Sequence, residues 1–180
     1  MKTIAVVCEK GGTGKSVIAY ELYRNFCSDD IATSLYSLDG QYSDSARFEK
    51  ADNPSIAIVD TPGVIADNLK DIIEGADLIV VPTRPTPNDI EPFTRTVSIV
   101  RKLTDAPVII AVNGFNRFRM ASSFIEWLSQ KHWAKEVVTI PQSEAIVQAQ
   151  AEHKSVVEID KHSKAAQAVK LLYTVTQRLL

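Results

Sequence analysis

An open α/β fold, a mostly parallel twisted sheet with helices on both faces, is predicted by three features of this 180-residue chain. Short β-branched runs alternate with longer stretches of helical period, the order that right-handed strand–helix–strand crossovers require. Several of the runs are apolar at consecutive positions, as in strands covered on both sides. With 45% hydrophobic residues the chain can bury one good core but is short for two, so a single domain over residues 1–180 is expected.

The elements follow in order. TIAVV at 3–7 reads as the first strand, and Ile18, Leu22 and Phe26 give the next segment one apolar helical face. IATSLYSL at 31–38 and SIAIV at 55–59 read as the second and third strands, DLIVV at 77–81 as the fourth. The proline cluster PTRPTPND at 82–89 leads into a helix whose apolar face is Ile90, Phe93, Val97 and Val100. PVIIAV at 107–112 is the fifth strand, 121–131 a helix, EVVTI at 136–140 the sixth strand, and 143–152 another helix. Ala165, Val169, Leu172, Val175 and Leu179 form a last apolar stripe. No repeat or linker interrupts the pattern.

A formal net charge of -2 supplies no global field toward nucleic acid or an acidic membrane, so such contacts would need a local basic patch. Two cysteines, Cys8 and Cys27, with no CxxC and no adjacent histidine, exclude a disulfide framework and a structural zinc site and suit a reducing cytoplasm. The apolar run at the start is too short for a secretory core, and no stretch is long and apolar enough to span a bilayer.

Ligands of such folds sit at the carboxyl ends of the strands, and there the sequence is most informative. CEKGGTGKS at 8–16 follows a strand and opens a helix. In that context Gly11, Gly12 and Gly14 let successive backbone N–H groups, Thr13 included, curl around an anion, and the following helix presents its positive end. Lys15 would reach the β and γ phosphates and Ser16 would hold a magnesium ion. A plain glycine turn would leave the Lys15–Ser16 pair unexplained. Two carboxylates stand at strand ends downstream, Asp39 in SLDGQ and Asp60 in IAIVDTPG, where a lone aspartate is more often a turn former or a helix cap.

Against GxxxxGK[ST], the first glycine position is Glu9 and Lys10 comes next, giving the form KGGxGK[ST]. Here the chain resembles the ParA/MinD family of deviant Walker A P-loop ATPases, closest to small ParA-type partition ATPases. The resemblance runs along nearly the whole chain and implies ATP and Mg2+ as cofactors. It implies that Lys10, otherwise read as a solvated loop cation, reaches the phosphates of a partner subunit in an ATP-dependent homodimer, much as an arginine finger would. It also implies that Asp60 is the Walker B aspartate, that Asp39 orients the attacking water and supports the metal, and that Gly63 brings a backbone N–H toward the γ phosphate. Catalytic weight falls on Lys10, Lys15 and Asp39. Family members often read DxDPQ where this chain has SLDGQ, and Val17 replaces a common threonine, leaving its backbone N–H for the α phosphate. Asn113, in AVNGFNR, corresponds to an adenine-reading asparagine, and Pro141 and Gln142 to the segment bracketing the base; a strand-ending turn and helix start is an equal alternative at each.

The resemblance further implies slow, partner-stimulated hydrolysis, non-specific DNA binding, a ParB-like adaptor protein and a role in plasmid or chromosome partition, with the ATP-bound form on the nucleoid. Candidate DNA contacts are Arg95, Arg101 and Lys102 before the fifth strand, Arg117 and Arg119 after it, and the run 131–135, though a scattered solvated face fits equally. Without a leading helix-turn-helix segment, operator-specific autoregulation is not expected. A MinD-like membrane-associated positioning ATPase is the alternative, but the terminal stripe lacks Trp and Phe and reads better as docked on the sheet. Redox or metal delivery would need paired cysteine or histidine ligands, and none are suitably spaced. A nucleotide-switched scaffold in DNA transfer is the remaining alternative.

Overall fold

The computed structural model describes residues 1–38, 50–63 and 67–180. Six strands, β1 (Lys2–Val6), β2 (Thr33–Ser37), β3 (Ile56–Asp60), β4 (Leu78–Thr83), β5 (Val108–Phe115) and β6 (Glu136–Pro141), form one sheet in the order β2-β3-β1-β4-β5-β6. Every pairing is parallel. The expected fold class is therefore the observed one. Because β3 and β4 flank β1 on opposite sides, the strand order reverses at β1, and the loop leaving β1 opens into the crevice where α/β folds bind ligands.

The consecutive apolar runs are explained by the pleat. On β1, Ile4 and Val6 face one helical layer while Ala5 and Val7 face the other. Leu78 and Val80 alternate with Ile79 and Val81 in the same way. The first layer comprises α1 (Lys15–Ser28), α5 (Glu144–Ala151), α6 (Val156–Ile159) and α7 (Lys164–Leu179). The second comprises α2 (Asp67–Gly75), α3 (Pro87–Leu103) and α4 (Arg119–Ser129). The α2 helix is not among the helices expected from the sequence. Its anchors Leu69 and Ile73 are buried against the second layer, with Ile72 packed at its edge.

The terminal stripe is docked. Ala165, Val169 and Leu172 are buried in the first core, and Val175 and Leu179 pack at its edge. Phe26 of α1 meets Tyr173 edge-on at 4.8 Å, and the Tyr173 hydroxyl donates to Asp29 at 2.7 Å. Burial, aided by the Asp29 carboxylate, holds that phenol above its ordinary value. Glu21, buried on α1, accepts from Ser155 Oγ at 2.5 Å and from Val156 N at 2.9 Å, and so caps the start of α6 from a distant helix. Burial pushes the Glu21 carboxyl up. No helix among the described residues is long and apolar enough to cross a membrane.

Asp77 joins the start of β4 to β1: its carboxylate takes the Lys2 ammonium at 2.8 Å and the Thr3 N–H at 2.8 Å. The Lys2 contact, then the Thr3 bond, holds its carboxyl below the ordinary 3.8. A lowered folded value means the contribution is complete above the unfolded value and disappears as pH falls through the folded one. Asp77→Asn should therefore cost up to about 1 kcal/mol near neutral pH, with the gap to wild type closing in acid. Urea unfolding between about pH 7 and pH 2 measures this, and a constant gap would contradict it.

Candidate functional site

The segment from 8 to 14 leaves β1 and turns into α1 at Lys15. Gly14 has φ +98°, which favours glycine, and a Cβ there would lie 2.1 Å from Asn113 Nδ2 and displace that amide. The first turn of α1 holds no acidic residue, and no side chain among the described residues caps it. Its N–H groups and helix dipole thus remain available to an anion. Gly11 and Gly12 border open space on the side a Cβ would occupy.

Two side chains fold back onto one carbonyl. Lys15, 6% exposed, donates from Nζ to the Lys10 carbonyl oxygen at 3.3 Å, and the buried Thr13 hydroxyl donates to the same oxygen at 3.4 Å. A buried ammonium with one carbonyl acceptor among the described residues suits an incoming anion. The Lys10 side chain leaves the loop and lies on the start of α3, where Nζ donates to the Asn88 carbonyl at 3.1 Å and stands 2.9 Å from Asp89 Oδ1. Glu9 is clamped to the same helix: its N–H donates to Thr96 Oγ1 at 3.2 Å, and Arg95 Nε donates to its carboxylate at 2.8 Å. Asp89, Thr96 and the Glu9 clamp were not singled out from sequence, because an acid in a helix's first turn and a threonine in its middle carry no signal by themselves.

The third strand delivers the carboxylate. Asp60 closes β3 at 3% exposure, in register with Val6 of β1 and Ser37 of β2. Thr61, also absent from the sequence reading, binds the Val6 carbonyl through its hydroxyl at 2.9 Å, tying the exit of β3 to the start of the glycine-rich loop. Gly63 continues that contact; a Cβ on it would stand 3.3 Å from Gly11 N. Ser16 and Val17 are half-buried on the first turn of α1. Asp39 lies outside the described residues; the strand before it ends at Ser37, and Leu38 N donates to the Asp60 carbonyl at 2.9 Å. Among the described residues no cluster of three His, Cys, Asp or Glu is preformed for a metal. The oxygen donors Ser16 and Asp60 nevertheless match a hard cation such as magnesium, which keeps several waters and takes few protein ligands.

Asn113 was expected just past the fifth strand but lies within it, at a register shift between Asn113 and Phe115. Its Nδ2 donates to the Thr13 carbonyl at 3.1 Å. Pro141 pairs with Phe115, and Gln142 N donates to the Phe115 carbonyl at 2.9 Å, so Asn113, Pro141 and Gln142 share the ends of two neighbouring strands. The structure does not gather the five arginine and lysine candidates into one patch. Arg95 is occupied by Glu9, with Glu91 at 3.9 Å. Arg101 and Lys102, at the far end of α3, line a groove of about 570 Å³ together with His132, Trp133 and Lys135, and Arg101 donates to the Trp133 carbonyl at 3.2 Å. Arg117 and Arg119 are exposed on the way into α4, interleaved with the exposed Phe118 and Met120.

Solved structures share this architecture. McdA from Cyanothece in complex with ATP superposes with a TM-score of 0.83 at 13% identity, covering 98% of this chain and 96% of that one. A plasmid partition protein from Borrelia burgdorferi gives 0.75 at 14% identity, covering 99% of each chain. The septum site-determining protein MinD from Pyrococcus horikoshii, complexed with Mg-ADP, gives 0.71 at 16% identity, covering 99% and 96%. No curated protein matches the chain in sequence. The family model described as the CobQ/CobB/MinD/ParA nucleotide binding domain matches residues 4–156, which include the glycine-rich loop, Asp60 and Asn113. With the motif and the sheet order in agreement with that match, the chain belongs to the CobQ/CobB/MinD/ParA family of nucleotide-binding domains.

Proposed function

We propose that the chain is an ATPase that dimerises on ATP and magnesium, holds duplex DNA without sequence preference in that state, and acts with a ParB-like adaptor protein in plasmid or chromosome partition. One observation carries the reading: the loop bears two lysines that lie in separate places. Lys15 is buried beneath the loop, while Lys10 is directed out of it onto α3. A second cation placed this way is suited to phosphates held by another copy. The Borrelia neighbour is a plasmid partition protein, which supports the choice of process.

A bound nucleotide would supply the phosphoanhydride to be cleaved, and a magnesium ion would neutralise part of its charge. This chain's residues do the remaining work. Backbone N–H groups of 11–16 bind the phosphates, and Lys15 exchanges its carbonyl acceptor for a phosphate oxygen. Ser16, through its hydroxyl, and Asp60, through water, would hold the metal. Asp39 orients the attacking water, Gly63 offers its N–H, and Lys10 crosses to the other copy. Asn113, Pro141 and Gln142 contact the base, with the Val17 N–H at the α phosphate. Of the basic residues, Arg101 and Lys102 serve DNA best, since they share a groove with Lys135 and, among the described residues, meet no carboxylate in an ion pair as Arg95 does.

Lys15→Ala should weaken ATP binding by about 10-fold to 100-fold, the range for a lost charged hydrogen bond; unchanged affinity in calorimetry would remove the phosphate-loop assignment. Lys10→Ala should keep the nucleotide affinity of the single subunit but lose at least about tenfold of adaptor-stimulated hydrolysis, because its contact is with phosphates held by the other copy. Gel filtration with and without a slowly hydrolysed ATP analogue, each with and without duplex DNA, tests dimer and DNA together. The wild type should shift to a dimer with analogue and co-elute with DNA only then. In the charge-reversed R101E/K102E pair the dimer should persist while DNA retention fails.

A further inference from the structure

Asp89 occupies the third position of α3, after Thr86 at the N-cap and Pro87 at the first position. An acid there normally reaches back to the N-cap N–H in a capping box. Here the Thr86 N–H donates to the Arg84 carbonyl at 2.8 Å instead. The Asp89 carboxylate takes the Thr86 hydroxyl on Oδ2 and presents Oδ1 to Lys10 at ion-pair distance, outside hydrogen-bond alignment. Burial is unequal across the pair, with the Asp89 side chain 4% exposed and the Lys10 side chain 33%. Removing Lys10 from this position would leave a buried carboxylate with the Thr86 hydroxyl as its one hydrogen-bond donor among the described residues, a costly state.

We infer that Asp89 is a positioning residue that parks Lys10 in cis on α3 and makes its transfer to a second copy depend on a competing phosphate. The inference rests on the reading of Lys10 as a trans-acting lysine. In the parked state the outer charge of Lys10 is neutralised, so two copies that meet without nucleotide find little to exchange. A polyphosphate on the second copy carries more negative charge than one carboxylate, so it draws the ammonium away. The neighbouring Glu9 and Arg95 pair, with Thr96, fixes the head of the loop on the same helix, so transfer of Lys10 requires only side-chain rotation and not displacement of the loop. No other charged side chain lies within ion-pair distance of Lys10 among the described residues.

The test measures analogue-driven dimerisation by light scattering in wild type, Asp89→Asn, Lys10→Ala and the double variant. Asparagine keeps the size and the acceptor for Thr86 but removes the charge. Asp89→Asn should reach half-dimerisation at about tenfold lower analogue or protein concentration, and that gain should vanish on the Lys10→Ala background. A gain that survives without Lys10 would assign Asp89 a merely structural effect and overturn the inference. Wild-type dimerisation with an unchanged or weaker Asp89→Asn variant would overturn it while leaving the trans-lysine reading intact. A wild type that stays monomeric with analogue would overturn both. In parallel, urea unfolding of the same four proteins without nucleotide should show non-additive effects of the two substitutions, and strict additivity would also overturn the parked pair. If Asp89→Asn fails to fold, Asp89→Ser supplies the same removal of charge with a smaller acceptor.

Discussion

The position of β1 between β3 and β4 is the constraint on which the rest depends. It puts the end of β1 at the reversal of strand order and sets Val6 opposite Asp60, so that a glycine-rich turn and a buried carboxylate open into one crevice. Thr61 locks that register by bonding the Val6 carbonyl. Pairing on both sides and helical layers on both faces leave the strand little freedom, and the site inherits its rigidity.

Around that frame, charge is distributed with care. Lys15 is buried with one carbonyl acceptor among the described residues, an arrangement that gains from an anion. Lys10 and Glu9 carry opposite charges on adjacent residues, and both are paired with α3, which presents Asp89 to one and Arg95 to the other. The first half of α3 thus belongs to the phosphate loop. Its last turn, roughly 18 Å away along the axis, belongs to the groove lined by Arg101 and Lys102.

Much of this was legible in the sequence. All six strands were readable because a parallel sheet needs apolar residues on both pleat faces, and the loop was readable because glycines before Lys15 and Ser16 have a strict physical purpose. The α2 helix escaped notice because few apolar anchors such as Leu69 and Ile73 suffice to hold a short helix. The extension of β5 through Asn113 to Phe115 was missed because glycine and asparagine resemble a turn until a bulge accommodates them. Asp89 was invisible for a different reason. Its partner lies 79 positions earlier, and only the topology brings the two charges together.

Gly63 and Gly11 meet through main chain alone, and the space left between them is too small for a methyl group without a shift. Where two segments touch through side chains, a rotamer change can absorb small displacements. Here nothing elastic intervenes. A displacement of the strand exit toward the loop would therefore press directly on the main chain of the cradle's first glycine.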